Sequence, residues 1–192
     1  AMIISNNVNL STLTFQDHTH NINDLIDKKT DVISAYTSKS PYFLEKEGIE
    51  VEIVHVGNQV IRGCMACGGC GRNKDEKCVL QGDFLNVWVQ KMKEADGIII
   101  ASPVFYAGIA GTMKCFLDRA FYVAGSNGGL FRNKVGASVV AVRRTGGSMT
   151  FDSLNHYILY SEMLIAASNY WNVIHGRTPG EVLQDEEGVQ IM

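Results

Sequence analysis

Four of the chain's five cysteines fall between Cys64 and Cys78 with the spacing C-x2-C-x2-C-x7-C, a triple followed by a single partner. Three thiolates this close can wrap one face of a cubane, and a later one can complete the four-thiolate set of Cys64, Cys67, Cys70 and Cys78 that a [4Fe–4S] cluster needs. Gly63, Gly68, Gly69 and Gly71 leave the backbone free to approach the sulfurs. Two other chemistries suit the same residues. One is tetrahedral zinc, although structural zinc sites usually draw on two separated pairs; the other is a loop of reduced thiols without metal. The connecting Arg72-Asn73-Lys74-Asp75-Glu76-Lys77 is strongly charged, which predicts a solvated, mobile loop around the fourth ligand. On that ground the expectation is free or partly oxidised thiols in aerobically prepared protein. Cys115 lies on the apolar face of a helical pattern and reads as core packing.

Two further segments carry the residue types of a ligand site. Ser102-Pro103-Val104-Phe105-Tyr106-Ala107-Gly108 sets two aromatic side chains beside a glycine-flanked backbone and can hold a planar ring. Arg143-Arg144-Thr145-Gly146-Gly147-Ser148 sets two cations before a helix start and can hold an anion. Taken singly, each is better read as an ordinary turn after a strand, with both arginines solvated. Position argues for them jointly, because ligands of open α/β sheets bind beyond the carboxyl ends of the strands. His18 and His20 read as an exposed loop pair, Asp118 and Arg119 as a surface or interface ion pair, and Trp88 as core.

These loops need strands to leave from. Ile49–Val56, Gly97–Ala101 and Val135–Val142 are short, apolar and β-branched, and the last two are nearly continuous in the way of parallel strands buried on both faces. Helical spacing appears in Phe84, Val87, Trp88 and Met92, and again in Met113, Phe116, Leu117, Ala120, Phe121 and Ala124. A third pattern runs from Phe151 through Leu154, Tyr157 and Ile158 to Leu164 and Ile165, opened by Ser148 or Thr150 as N-cap. Met2–Ser5 is the expected first strand, followed by short helices across Asn21–Glu47; Trp171–His175 is the expected fifth strand, with Gly180–Met192 left for a last helix. The alternation predicts βαβ units in a doubly wound parallel sheet.

Composition narrows the partners. A chain of 192 residues with 46% hydrophobic content suits one domain with a sizeable core. Its 17 Lys+Arg against 20 Asp+Glu, a net charge of −3, offer no electrostatic footprint for nucleic acid or an anionic membrane. The uncharged stretch Gly97 to Met113 is broken by Ser102-Pro103, Gly108 and Gly111, which excludes a membrane span, and with no leader pattern the expected compartment is the cytoplasm.

Four motifs, in order, resemble one family. Gly63-Cys64-x-x-Cys67-x-x-Cys70, Glu94-Ala95-Asp96-Gly97-Ile98-Ile99, Ser102-Pro103-Val104-Phe105-Tyr106 and Met113-Lys114-x-Phe116-Leu117-Asp118-Arg119 are similar to the NADPH-dependent FMN reductases, including their iron-sulfur flavoprotein branch. The resemblance runs from about Gly48 onward. It implies a flavodoxin-like α/β/α sandwich with a five-stranded parallel sheet of order 2-1-3-4-5, bound FMN, and a homodimer or homotetramer. It also implies that Pro103, Val104, Phe105, Tyr106 and Gly108 line the isoalloxazine ring, with Arg143, Arg144, Thr145, Gly146 and Gly147 at its other edge. Family members usually open with a glycine-containing phosphate loop, whereas here no glycine precedes Gly48. Ser5, Asn6, Asn7, Ser11 and Thr12 offer the hydroxyls and amides that could replace it.

Three functions are therefore carried forward. The first is an FMN enzyme passing a hydride from NAD(P)H to the flavin and on to a small-molecule acceptor such as a flavin or quinone. The second is an electron carrier holding FMN and a [4Fe–4S] cluster. The third is a non-catalytic zinc or thiol module on a flavodoxin-like frame. The aromatic loop and the Tyr122–Phe131 segment offer apolar surface to a second copy of the chain.

Overall fold

β-Branched residues start the longest strand, β1 (Gly97–Phe105), which pairs in parallel with β3 (Val135–Ala141) in a register running from Gly97↔Val135 to Pro103↔Ala141. The computed structural model describes residues 50–168 and 170–191, so the expectations for Met2–Ser5, Asn21–Glu47, His18 and His20, and for Ser5, Asn6, Asn7, Ser11 and Thr12, lie outside it. The described residues fall into two compact units, Val54–Ile165 and a second made of residues 50–53 and 166–191, less residue 169.

In the first unit the order is a 3₁₀ turn (Val56–Asn58), α1 (Gly69–Asn73), α2 (Leu85–Glu94), β1, β2 (Gly108–Ile109), α3 (Gly111–Ser126), β3, α4 (Gly147–Tyr160) and β4 (Leu164–Ile165). The sheet order is β2-β1-β3-β4, with β2 antiparallel to β1 and β4 parallel to β3. An α/β architecture is thus present, but among the described residues the sheet has four strands and is mixed, not five and parallel. The antiparallel member arises because β1 runs on past Ala101 through Pro103 and folds back on itself. β1 also alternates, with Ile100 and Ser102 buried and Ile99, Ala101, Pro103 and Phe105 outward, where burial on both faces was expected. Alternation is the mark of a strand packed on one face.

α3 follows its predicted stripe, but α2 does not: Phe84 and Val87 are exposed and Trp88 and Met92 only partly buried, while Leu85 and Val89 make the core contact. Leu85 and Val89 of α2, Phe116, Leu117, Ala120, Phe121, Val123 and Ala124 of α3, and Leu154 and Ile158 of α4 are buried around Ile100, Phe131 and Met163. Phe121 sits between Phe131 and Tyr157, with ring centroids 5.2 and 5.1 Å away. Trp88, partly buried, stacks on Phe84 and meets Phe116 edge-on at 5.6 Å. Gly136 lets α4 close on β3, since a Cβ there would lie 2.8 Å from Ile158 Cγ2.

Three predicted elements are corrected. The helix expected to reach Ile165 stops at Tyr160, because Glu162 turns left-handed and Leu164 and Ile165 pair instead with Val135 and Gly136. Its N-cap is Gly146, not Ser148 or Thr150; the Thr150 side chain lies one turn in and donates to the Gly146 carbonyl at 2.9 Å. Residues 50–56 form no strand: Ile53 is exposed, the boundary between the units falls after it, and the Val56 carbonyl accepts the Gln59 N–H in a tight turn.

In the second unit Trp171–His175 is likewise not a strand. Its N–H groups bond locally, Val173 to Trp171 O and His175 to the Asp185 carboxylate. Asp185 also takes the Gly188 N–H at the head of α5 (Glu186–Ile191), and Glu181, opening a 3₁₀ turn (Glu181–Gln184), takes the N–H groups of Thr178 and Arg177. These backbone donors, Gly188 then His175 for Asp185 and Thr178 then Arg177 for Glu181, lower both carboxyl pKa values.

Candidate functional site

Two of the predicted loops meet. β1 and β3 are neighbours in parallel register, so the segments after Phe105 and after Ala141 leave the sheet at the same end. Ser102, buried, accepts the Ala110 N–H on its Oγ at 3.0 Å, and Val104↔Ile109 and Phe105↔Gly108 pair, closing a hairpin at Tyr106-Ala107. Both tip residues have left-handed φ angles, +50° and +56°, the pair of values that a two-residue turn matched to strand twist demands. For residues other than glycine this costs about 1–2 kcal/mol each. The aromatic segment is therefore the end of a strand with a tight tip, not the open turn expected; Tyr106 is fully exposed and Phe105 is 61% exposed.

The tip rests on the start of α4. A Cβ at Gly146 would lie 2.6 Å from Ala107 Cα and 2.8 Å from Ala107 Cβ, and Gly146 has a φ of +84°. Only glycine serves both conditions. The first helical N–H groups of α4 have no intrahelical partner, and no side chain caps them. Arg143, Arg144 and Thr145 stand exposed just before that terminus, so two cations and free amides share one edge of the hairpin. Such an arrangement can hold a planar group along Val104–Tyr106 and a negative charge at the α4 terminus.

The cysteine segment forms the second centre. Cys64 and Cys67 are exposed and Cys70 and Cys78 are buried, yet all four line one small recess. The loop is wound through left-handed turns at Ala66, Gly68, Lys74 and Glu76. Gly69 lets its two arms close, since a Cβ there would meet Val79 Cγ1 at 2.6 Å. The charged connector is exposed, as its composition predicts, but it is tied down. Arg72 donates to Cys67 O at 2.8 Å, Lys74 to Ser126 O, and Glu76 accepts Lys93 at 2.6 Å. Asn86 clamps the backbone of Cys78, accepting its N–H at 2.8 Å and donating to its carbonyl at 3.0 Å. Asn127 joins the end of α3 to the Cys70 carbonyl and the Glu76 N–H.

Among the described residues no three His, Cys, Asp or Glu side chains are gathered as a metal-ion site. A cubane carries its four ligand sulfurs on four separate irons, so they stand farther apart around a larger space. Four free thiols bordering one recess are the donor set that such a group takes.

Arg119 was expected at the surface. It is 1% exposed and forms a buried ion pair with Asp83, while its Nε donates to Cys78 Sγ at 3.4 Å and its Nη atoms to the carbonyls of Arg62 and Leu80, each at 3.2 Å. Burial opposes its charge, but the bonds to Asp83 and then Cys78 outweigh that and raise its pKa. Asp83, Asn86, Asn127 and this role of Arg119 were not legible in the sequence. Asp83 reads locally only as a residue before a helix, where it does accept the Leu85 N–H.

Asp118 does face outward, paired with Lys114 at 2.6 Å, and it accepts the Tyr157 hydroxyl at 2.5 Å. Burial first, then the bond to Asp118, pushes the Tyr157 pKa up to about 12. An unfolded tyrosine titrates near pH 10, so this contribution to stability is whole below about pH 10 and is lost as the pH rises toward 12. The melting temperature should therefore fall more steeply across that window in the parent than in Tyr157→Phe. Parallel profiles would contradict this assignment.

The first unit is an α/β core with a ligand-compatible junction at its strand ends and a cysteine-lined recess. The chain belongs to the NADPH-dependent FMN reductase family, whose model matches residues 32–178. It is 31% identical to an iron-sulfur flavoprotein of Methanocaldococcus jannaschii over 77% of each chain. It is also 31% identical to one of Archaeoglobus fulgidus, over 76% of this chain and 71% of that one. In fold it is similar to RosB, crystallised with bound 8-demethyl-8-formylriboflavin-5'-phosphate, with a TM-score of 0.57, 18% identity, and coverage of 94% of this chain and 71% of that chain. Among the described residues no helix is long and apolar enough to cross a membrane.

Proposed function

We propose that this protein is an FMN-dependent oxidoreductase that moves electrons between its flavin and a [4Fe–4S] cluster held by Cys64, Cys67, Cys70 and Cys78. The observation that carries this reading is that all four cysteines border one recess, in a chain of an FMN reductase family. The names of the two relatives support it. FMN, when bound, supplies the conversion between two-electron and one-electron chemistry. Pro103, Val104, Phe105, Tyr106 and Gly108 would line its ring and shield it from water. Arg143 and Arg144, with Thr145, Gly146, Gly147 and the α4 amides, would offset negative charge on it. Ser5, Asn6, Ser11 and Thr12 would supply donors for the phosphate. In the same reading β1, β3 and β4 are strands three, four and five of a parallel sheet of order 2-1-3-4-5. The protein would work in the cytoplasm as a homodimer or homotetramer on a small-molecule acceptor.

The test is anaerobic purification followed by visible spectroscopy and iron analysis. Flavin bands over a broad absorbance, with about four irons per chain, are expected, and Cys78→Ser should lose the iron and keep the flavin. Protein that takes up no FMN at micromolar concentration overturns the reading.

A second reading keeps the cysteines as thiols and makes the protein an NAD(P)H-dependent flavin reductase. The exposure of Cys64 and Cys67 favours it. It requires that the Cys67→Ser, Cys70→Ser double variant keep NAD(P)H-driven flavin reduction within a few-fold, under about 1 kcal/mol in barrier, and that the parent hold no iron.

A further inference from the structure

The guanidinium of Arg119 is divided between two tasks. Its Nη atoms grip the Asp83 carboxylate and two backbone carbonyls, while Nε is left for the sulfur of Cys78. Asp83 and Arg119 have side chains 5% and 0% exposed, so neither charge is screened by water. The backbone of Cys78 is already held on both sides by Asn86. Holding the residue in place thus does not need the N–H on its sulfur, and that bond acts on the sulfur's charge.

We propose that Arg119 sets the reduction potential of the four-cysteine centre: its Nε–H on Cys78 Sγ and its buried charge favour the reduced cluster, and Asp83 moderates that field. The inference rests on the cluster reading above. Reduction transfers one electron, from the reduced flavin or in the test from dithionite, into the cluster with no bond formed or broken, so the centre gains one unit of negative charge. A donor on a ligand sulfur and a nearby unscreened cation both become more favourable when that charge arrives, which raises the potential. A carboxylate behind the cation works in the opposite sense.

Two variants separate this role from stitching the fold. Arg119→Lys keeps a cation but loses the planar fork that reaches Asp83 and sulfur together. Asp83→Asn keeps one of the two acceptor oxygens and removes the opposing charge. Each full-length variant is reconstituted anaerobically with iron and sulfide, checked for iron content, and titrated with dithionite while the visible bleaching and the reduced-cluster paramagnetic signal are followed. At a fixed poised potential Arg119→Lys should hold roughly tenfold less reduced cluster relative to oxidised, a shift of about 59 mV for a one-electron couple. Asp83→Asn should hold more than the parent. Arg132→Lys, in an exposed pair with Glu162, should not move.

Opposite shifts in the two variants support the proposal. A parent that binds its iron while neither variant shifts leaves Arg119 a purely structural residue and overturns the proposal alone. A parent that binds no iron overturns the cluster reading and this inference together. If Arg119→Lys cannot hold iron, Asp83→Asn decides: an upward shift supports the proposal, and no shift or a downward one overturns it.

Discussion

Asp83→Ala should lower the unfolding free energy by about 3–5 kcal/mol, because it leaves the Arg119 guanidinium charged and buried without its counter-ion. Arg119 is 1% exposed, so water cannot replace the lost carboxylate without opening the core between α2 and α3. Removing one member of a buried pair costs far more than the pair contributes against an apolar replacement, since the survivor's desolvation is no longer offset. Against a typical net stability of about 5–15 kcal/mol, the loss is large. In urea, with a slope of about 2 kcal/mol per molar, the midpoint should drop by roughly 2 M. Arg132→Ala, which breaks an exposed pair with Glu162, should change stability by under about 1 kcal/mol. Equal effects in the two variants would show that the Asp83–Arg119 pair is not closed off from solvent.

Gly146→Ala should weaken flavin binding by at least about tenfold, near 1.4 kcal/mol, through geometry and not through a lost contact. The added methyl would lie within 2.8 Å of Ala107, whose Cα and Cβ belong to a tight turn that cannot swing aside like a flexible side chain. The hairpin tip must then lift from the start of α4, and the aromatic edge parts from the arginine edge. Gly128→Ala is the matched control. Gly128 has a φ of +89°, close to the +84° of Gly146, but open space around it. Both variants should lose about 1–2 kcal/mol of stability to left-handed strain, while only Gly146→Ala should alter FMN fluorescence quenching. Unchanged affinity in Gly146→Ala would mean that the two loops do not act as one site.

Much of the frame was legible locally. The stripe of α3 and the apolar runs of β1 and β3 are signals carried within a dozen residues, and burial against one core rewards them directly; the stripe read for α2 instead took Phe84 and Val87, which are exposed, in place of the buried Leu85 and Val89. The cysteine spacing, the aromatic segment and the paired arginines likewise announced what chemistry the chain could do. Local pattern misjudged where elements end. β1 runs through Pro103 because Ser102 and the pairing of Val104 with Ile109 extend the ladder, and α4 stops at Tyr160 because Leu164 and Ile165 find partners on β3.

Partnerships between distant residues were decided only by tertiary structure. Arg119 and Asp83 are 36 positions apart, and Arg119 and Cys78 are 41 apart. An arginine next to an aspartate on a helix looks like a surface pair until packing shows which of them points inward. Asn86, a polar residue on a helix, became the clamp on Cys78 only when α2 was laid against the cysteine loop. The charged connector looked mobile because sequence shows its solvation and not its tethers. Residue types and spacing determined which chemistries were available; the packing of α2 and α3, and the contact of Ala107 with Gly146, decided where they operate, because buried charge pairing and backbone close approach are properties of neighbours in space that no local periodicity encodes.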